Sequence, residues 1–230
     1  MSSNTLVRQR IWMPVDPGRR DLGRLVFMPV CLLLLIINAT QLATRHAYAG
    51  RTAASAVGAI AATVLTIAFY ALVVRAYLTR LPAQATSSSR AAAVAAFLGS
   101  ALPFVMPLLG SSAASGARLV IGDLLMLTGF AWSVWALRTL GRSFSVIPQA
   151  RAVVSSGPYR VVRHPLYLGE IVSMMGLAVL HASPAAYLAW FSLCCLQVYR
   201  ATHEERVLAG ALDDYVDYRR RTRRIVPGLY

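Results

Sequence analysis

An all-α, polytopic integral membrane fold is what this sequence predicts, and three observations carry the prediction. Hydrophobic residues make up 57% of the chain and charged ones only 14%, against roughly a quarter charged in an ordinary soluble domain. Apolar runs of bilayer-crossing length recur, a spanning helix needing about 20 such residues. The remaining charges gather between the runs, mostly where alternate loops would meet one membrane face.

Residues 1–24 are polar and basic and read as a cytoplasmic arm, too long a lead-in for a cleavable signal peptide. Leu25–Ala43 and Thr52–Val74 follow as two uncharged spans. Thr79–Arg90 is a Ser-rich stretch expected to be a cytoplasmic linker. The third run, Ala91–Ala117, holds Pro103, Pro107 and a Gly/Ser tail, so its helix is expected to stop near Leu109. Leu119–Leu137 is the fourth, with Asp123 its single charge, and residues 25–138 thus form a four-helix membrane unit.

Residues 139–230 form the second unit. Its apolar run, Pro165–Tyr199, has only Glu170 and His181 as ionisable groups and is too long for one helix. The breaker at His181–Pro184 divides it into a membrane hairpin over 165–200, with helices near 166–181 and 185–200. Beyond Tyr199 the chain turns charge-rich and is expected to be an amphipathic, cytoplasmic helical tail on the membrane surface or on the domain itself.

About six spans return both termini to one side, and the arginines test this. Twenty of the 23 basic residues fall in 1–24, 75–90, 138–163 and 200–224, while Arg45, Arg51 and Arg118 belong to the other face. The positive-inside rule then places both termini in the cytoplasm. The net charge of +14 flanks apolar runs rather than decorating a polar domain with exposed aromatics, so the bilayer and not nucleic acid is the expected partner. Every basic residue is Arg, which suggests a GC-rich bacterial genome and hence an inner membrane. Cys31, Cys194 and Cys195 lie in apolar runs without metal-ligand spacing, so neither a disulfide nor a metal is expected.

The polar interruption SSGPYRVVRHPLYLGE, residues 155–170, carries the candidate chemistry. Pro165 suits the first position of a helix, which leaves the backbone N–H groups of Leu166 and Tyr167 without intrahelical partners beside Arg163 and His164. Such a helix start suits an anion. At the other end of the hairpin, Arg200 and Glu204 are four apart and share a helix face, with Gln197 one turn earlier. The hairpin should return residue 200 to the face that holds residue 165. One site would then combine an anion-binding helix start, the rings of Tyr159 and Tyr167, and a carboxylate. That set suits a cofactor with a carboxylate, a nucleoside and a positive centre. Trp132 and Trp135 read as packing residues, His46 and His181 as solvated, Asp123 as interfacial, and Asn38 and Gln41 as bonding between helices or to headgroups.

The pattern G-x-Y-x-x-x-R-H-P-x-Y-x-G over Gly157–Gly169, followed by EERVL and YVDYRRRTRRIVP, resembles the isoprenylcysteine carboxyl methyltransferase family, itself similar to membrane phospholipid methyltransferases. The resemblance covers roughly residues 140–230. It implies S-adenosylmethionine, leaving as S-adenosylhomocysteine, bound by Arg151, Ala152, Val153, Val154, Tyr159, His164, Pro165, Leu166, Tyr167 and Glu204. Arg200 would be the substrate-side arginine, orienting an acceptor carboxylate. A thiol or amine acceptor would need a base, for which Glu205 or Glu170 is nearest. The implied acceptor is a lipophilic small molecule, a lipid or a lipid-modified cysteine. Isoprenylcysteine carboxylate-type O-methylation heads the expectations, with phospholipid N-methylation or thiol S-methylation as alternatives. Leu212–Asp213 stands where the family often has Phe-Gly, and Glu170 is no signature position, so the acceptor stays open. An NADPH-dependent membrane reductase and a small transporter are the competing classes. Transport would call for polar groups deep in several spans, whereas here they crowd one face.

Overall fold

The computed structural model describes residues 12–14, 22–44, 53–109 and 116–228. Most of the N-terminal arm, with Arg45, His46, Arg51 and the Gly/Ser tail of the third run, lies outside the described residues. Six long helices occupy the predicted places: α1 (Leu22–Thr44), α2 (Ala53–Thr79), α3 (Arg90–Val105), α4 (Gly116–Leu140), α5 (Pro165–His181) and α6 (Pro184–Ala211). A short α7 (Asp214–Arg221) follows. Proline stands at the start of both hairpin helices, and Ser183 caps α6 by accepting from the Ala186 N–H at 3.1 Å. Between them Ala182 adopts a left-handed conformation, φ 47°, and makes the reversal the sequence places at His181–Pro184.

Length and composition separate these helices. Arg24–Thr44, Ala56–Thr79 and Gly116–Ser143 are long and apolar enough to cross a membrane by themselves. With 16 and 17 residues, α3 and α5 reach only about 24–26 Å at 1.5 Å per residue, short of a ~30 Å hydrocarbon core. Pro103 lies inside α3, which gives way to a 3₁₀ turn at Met106–Leu108, earlier than the composition suggests. α6 has 28 residues but turns polar after Tyr199. Large apolar side chains such as Ile36, Val57, Leu98, Leu124 and Phe191 point outward from five helices, the surface of an integral membrane protein.

The chain is not wholly α. Trp12–Pro14 (β1), Ala85–Ser87 (β2) and Gln149–Ala150 (β3) pair antiparallel in the order β1-β2-β3. Ala85 faces Pro14 on one side and Ala150 on the other. The expected linker Thr79–Arg90 therefore holds the central strand. Ala85 and Ala150 are completely buried against Val207 of α6, so this little sheet ties three distant segments to the base of the hairpin. Strands this short and this far apart in sequence leave no periodic signal.

α4 and α5 make the closest helix contact. Small residues line both sides, Gly122, Gly129 and Ser133 against Gly169, Ser173 and Gly176, and the backbones touch. A Cβ at Gly169 would lie 2.2 Å from Ser133 Oγ and 2.8 Å from the Gly129 carbonyl. The last glycine of the sequence motif is thus a packing requirement. The charge-rich tail folds onto the domain. Val162 and Arg223 form a parallel bridge, the N–H of His164 donates to the Arg224 carbonyl at 2.9 Å, and Tyr218 Oη donates to the Tyr159 carbonyl at 2.7 Å.

Candidate active site

A cavity of about 1130 Å³ runs inside the bundle. Its walls are mainly apolar and come from α1 (Phe27, Leu34), α2 (Phe69, Val73) and α4–α5 (Phe130, Met174). Tyr159, Arg163, His164, Tyr167, Arg200 and Glu204 also line it, and these six stand together where the tail and the motif loop meet. Asn38, Gln41, Asp123 and His181 line it too, at the opposite ends of their helices. Asn38 donates to the Leu34 carbonyl of its own helix at 2.8 Å, and Asn38, Gln41 and His181 face the cavity.

At the motif end the polar groups are contiguous. The His164 ring lies parallel to that of Tyr167, centroids 5.3 Å apart and planes within 2°. Tyr167 Oη donates to Glu204 Oε2 at 2.8 Å, and the Arg200 guanidinium sits 4.8 Å from the Tyr167 ring centroid. Arg200 donates from Nη1 to Gln197 Oε1 at 2.9 Å and from Nη2 to the Val146 carbonyl at 3.3 Å, while its buried Nε has no hydrogen-bond partner among the described residues. Gly99 of α3 makes room for this side chain, since a Cβ there would stand 3.2 Å from Nη1. His164 precedes α5 without a side-chain cap, so the first turn keeps its open amides. Burial, followed by the neighbouring Glu204 charge, pushes the Tyr159 phenol well above its ordinary range; it stays neutral at physiological pH and is a wall of the site, not a base.

Glu204 and Glu205 are successive on α6 and diverge by about 100°. Glu204, 27% exposed, faces the cavity. Glu205, 2% exposed, faces the tail, where it accepts from Arg163 Nε at 2.8 Å and Arg224 Nη2 at 3.0 Å, with His164 Nε2 at 3.2 Å. Burial alone would raise its carboxyl, but the hydrogen bonds from His164, Arg163 and Arg224 hold it down at about 2. A carboxylate so satisfied is a poor proton acceptor. The expectation of Glu205 as a base is therefore corrected: it is the buried anchor that fastens tail to motif.

The Arg151–Val154 stretch also departs from expectation, since none of Arg151, Ala152, Val153 and Val154 lines the cavity. Arg151 follows β3 and donates to Gln149 Oε1 at 2.7 Å, its carbonyl accepting from Gln84 Nε2 at 2.9 Å. Val153 and Val154 pack on the core. Pro165 is fully buried and sets the helix start without facing the cavity, while Leu166 and Tyr167 do face it. Sequence reasoning missed Arg224, which sits in a basic run that reads as surface charge, and Phe144 to Val146, which close the cavity beside Arg200.

A buried polar cluster at one end of an apolar cavity defines a class: a helical membrane protein whose cavity joins a polar end to an apolar wall. The comparisons place it more closely. A family model described as phospholipid methyltransferase matches residues 117–214. The cobalt-zinc-cadmium resistance protein CzcN of Cupriavidus metallidurans is 33% identical over 100 residues, 41% of this chain and 46% of that protein. Human phosphatidylethanolamine N-methyltransferase is 29% identical over 89 residues, 39% of this chain and 44% of that one. The nickel-cobalt-cadmium resistance protein NccN of Alcaligenes xylosoxydans xylosoxydans is 34% identical over 119 residues, 50% and 52% of the two chains. The chain spans about half the length of the curated relatives it matches. A solved eukaryotic intramembrane Ras methyltransferase, isoprenylcysteine carboxyl methyltransferase, aligns with 90% of this chain and 94% of its own at 16% identity and a TM-score of 0.42. The segment 117–214, which holds α4, α5, α6 and the motif, is thus similar to membrane phospholipid methyltransferases.

Proposed function

We propose that this chain is an integral-membrane methyltransferase that uses S-adenosylmethionine to methylate a lipophilic acceptor. The observation that carries the reading is the placement of the Tyr159–His164–Tyr167–Glu204–Arg200 cluster at one end of the apolar cavity. A polar donor and an apolar acceptor would be brought together where this cluster meets the apolar wall.

The residues fit the cofactor. The uncapped start of α5 suits its carboxylate, and Glu204, exposed to the cavity, suits ribose hydroxyls or the amine. Tyr159 and Tyr167 suit the adenine face or the sulfonium. Bound there, S-adenosylmethionine supplies an already activated methyl group. The protein's own work is then to hold both partners in line and to exclude water. Tyr167 fixes Glu204, His164 stacks on Tyr167, and Glu205 fixes His164 from behind. The unpartnered Arg200 Nε is a donor left for the acceptor. Both termini and the polar cluster lie on the cytoplasmic side in this reading, which the arginine distribution supports, and the all-Arg composition favours a bacterial inner membrane. The acceptor is a lipid, a lipid-modified cysteine or another lipophilic small molecule. The name of the human relative favours a phospholipid amine; the sequence motif favours an isoprenylcysteine carboxylate.

Purified protein in detergent should bind radiolabelled S-adenosylmethionine saturably, and NADPH should not compete. His164→Ala combined with Glu204→Ala should weaken that binding by at least about 10-fold, two hydrogen-bonding groups being lost. Saturable NADPH binding in its place, or an unchanged affinity in the double variant, would overturn the reading.

A further inference from the structure

Glu170 is a carboxylate that the donor cluster does not employ. It sits one turn beyond Tyr167 on α5, three residues on, and lines the cavity on the same face. One oxygen, Oε2, accepts a short hydrogen bond from Gln197 Nε2; Gln197 in turn accepts from Arg200, whose guanidinium lies over Tyr167. The other oxygen has no hydrogen bond among the described residues. Besides Tyr167 of its own helix, the charged or titratable groups that act on it are Tyr70 of α2 and Arg200 of α6. Glu170 therefore stands on the apolar side of the donor cluster, where the head of an amphiphile would come to rest.

We propose that Glu170 is the proton acceptor for the methyl-accepting group, which therefore bears an N–H or S–H and is not a carboxylate. The inference rests on the methyl-transfer reading above. The proton balance of the three acceptor types separates them. An ammonium or a thiol releases one proton for each methyl gained, whereas a carboxylate releases none. As the new N–C or S–C bond forms, the methyl–sulfur bond of the donor breaks and its electron pair leaves with the sulfur. The proton that masked the nucleophile's lone pair goes to the free oxygen of Glu170 and from there to solvent at the polar end. Gln197 keeps the carboxylate turned to the cavity, and its link to Arg200 balances the charge while the site waits. A carboxylate acceptor would instead face the negative charge of Glu170 at close range, and like charges so placed repel.

The test presents three amphiphiles that share one saturated chain: hexadecylamine, hexadecanethiol and palmitate. Tritium-labelled S-adenosylmethionine reports turnover and a pH indicator reports proton release. The amine or the thiol should be methylated with one proton released per methyl. Glu170→Gln should lower that turnover by about 100-fold or more, the usual worth of a positioned base, and leave S-adenosylmethionine affinity within about 2-fold. In the thiol arm, turnover by Glu170→Gln should climb as pH passes about 8.5, where solvent removes the proton unaided; a merely structural defect would not recover. Glu170→Asp should keep part of the activity. Independently of turnover, hexadecylamine affinity without cofactor should fall about 10-fold in Glu170→Gln, read by tryptophan fluorescence, since Trp190 Nε1 bonds the adjacent Ile171 carbonyl at 3.0 Å. Preferential methylation of palmitate, or turnover and amine affinity both within about 3-fold of the parent in Glu170→Gln, would overturn the proposal. If no acceptor is turned over, the amine affinity alone decides. Failure of the parent protein to bind S-adenosylmethionine would instead count against the methyl-transfer reading.

Discussion

Gly129→Val should destabilise the protein by about 3 kcal/mol or more, the upper range for overpacking a well-filled contact, and lower its midpoint of thermal unfolding by about 10 °C. The reason is that no side chain can yield. A Cβ at Gly129 would lie 2.4 Å from the backbone nitrogen of Ser173 and 2.7 Å from the Gly169 carbonyl, so two helix backbones must part. Gly176 repeats the arrangement, with the Gly122 carbonyl 2.6 Å from its added Cβ. Water drives no helices together inside a bilayer, and close van der Waals contact between small residues does much of that work. The effect should reach the site, because α5 carries Leu166, Tyr167 and Glu170 on the cavity wall. S-adenosylmethionine affinity should therefore fall along with stability. Gly58→Ala is the opposing control: its added Cβ finds only Asp123 Cβ at 4.0 Å, and in mid-helix alanine is the better residue by about 0.5–1 kcal/mol. Thermal melts in detergent, followed by helix content, would read both. Equal loss in the two variants would mean that helix propensity, not the α4–α5 contact, sets the cost.

What the sequence made legible was local. Proline at the head of each hairpin helix, Ser183 before α6 and the unbroken apolar runs place the helix starts within a few residues, although α6 runs on to Ala211, eleven residues past its expected end. The return of Arg200 and Glu204 to Tyr167 follows from hairpin geometry alone. Three things escaped because they depend on pairing across distance. The three-stranded sheet joins residues near 13, 86 and 150 through strands too short for a pattern to register. The division between Glu204 and Glu205 depends on what meets each face of α6, and the partner of Glu205 is a tail that reads from composition as a solvated basic run. The Arg151–Val154 stretch has the right neighbours in sequence, yet the strand before it carries Arg151 to Gln149 and Gln84, away from the cavity. Glu170 was visible as a departure from the motif, but only the Gln197 and Arg200 contacts give it a place in the site.

Glu205→Gln should cost about 3–5 kcal/mol, the range for removing one partner from a buried ion pair, and should release the tail. Arg163, with 9% of its side chain exposed, and Arg224 would lose the charge that compensates their burial. Arg163 also donates to the Arg219 and Thr222 carbonyls, so its displacement undoes the contact between tail and motif loop. The parent protein should feel the same loss in acid. Folding lowers the Glu205 carboxyl from 4.5 to about 2, so the unfolded chain binds its proton more readily than the folded one does. The stabilisation is therefore fully present above about pH 4.5 and is lost progressively as pH falls towards 2. A displacement of this size corresponds to about 3 kcal/mol. Melts between pH 3 and 7 should show the parent losing stability below pH 4.5, while Glu205→Gln starts lower and gives a flatter profile. Trypsin should cut the variant after Arg219–Arg224 faster than the parent, because the tail no longer docks. S-adenosylmethionine binding should fall with tail release, since the Arg163–His164 backbone that opens α5 is held by the carbonyls of Arg223 and Arg224. If the variant kept the parent's acid profile and protease resistance, the anchor would have to lie elsewhere, with the Tyr218–Tyr159 hydrogen bond as the next contact to remove.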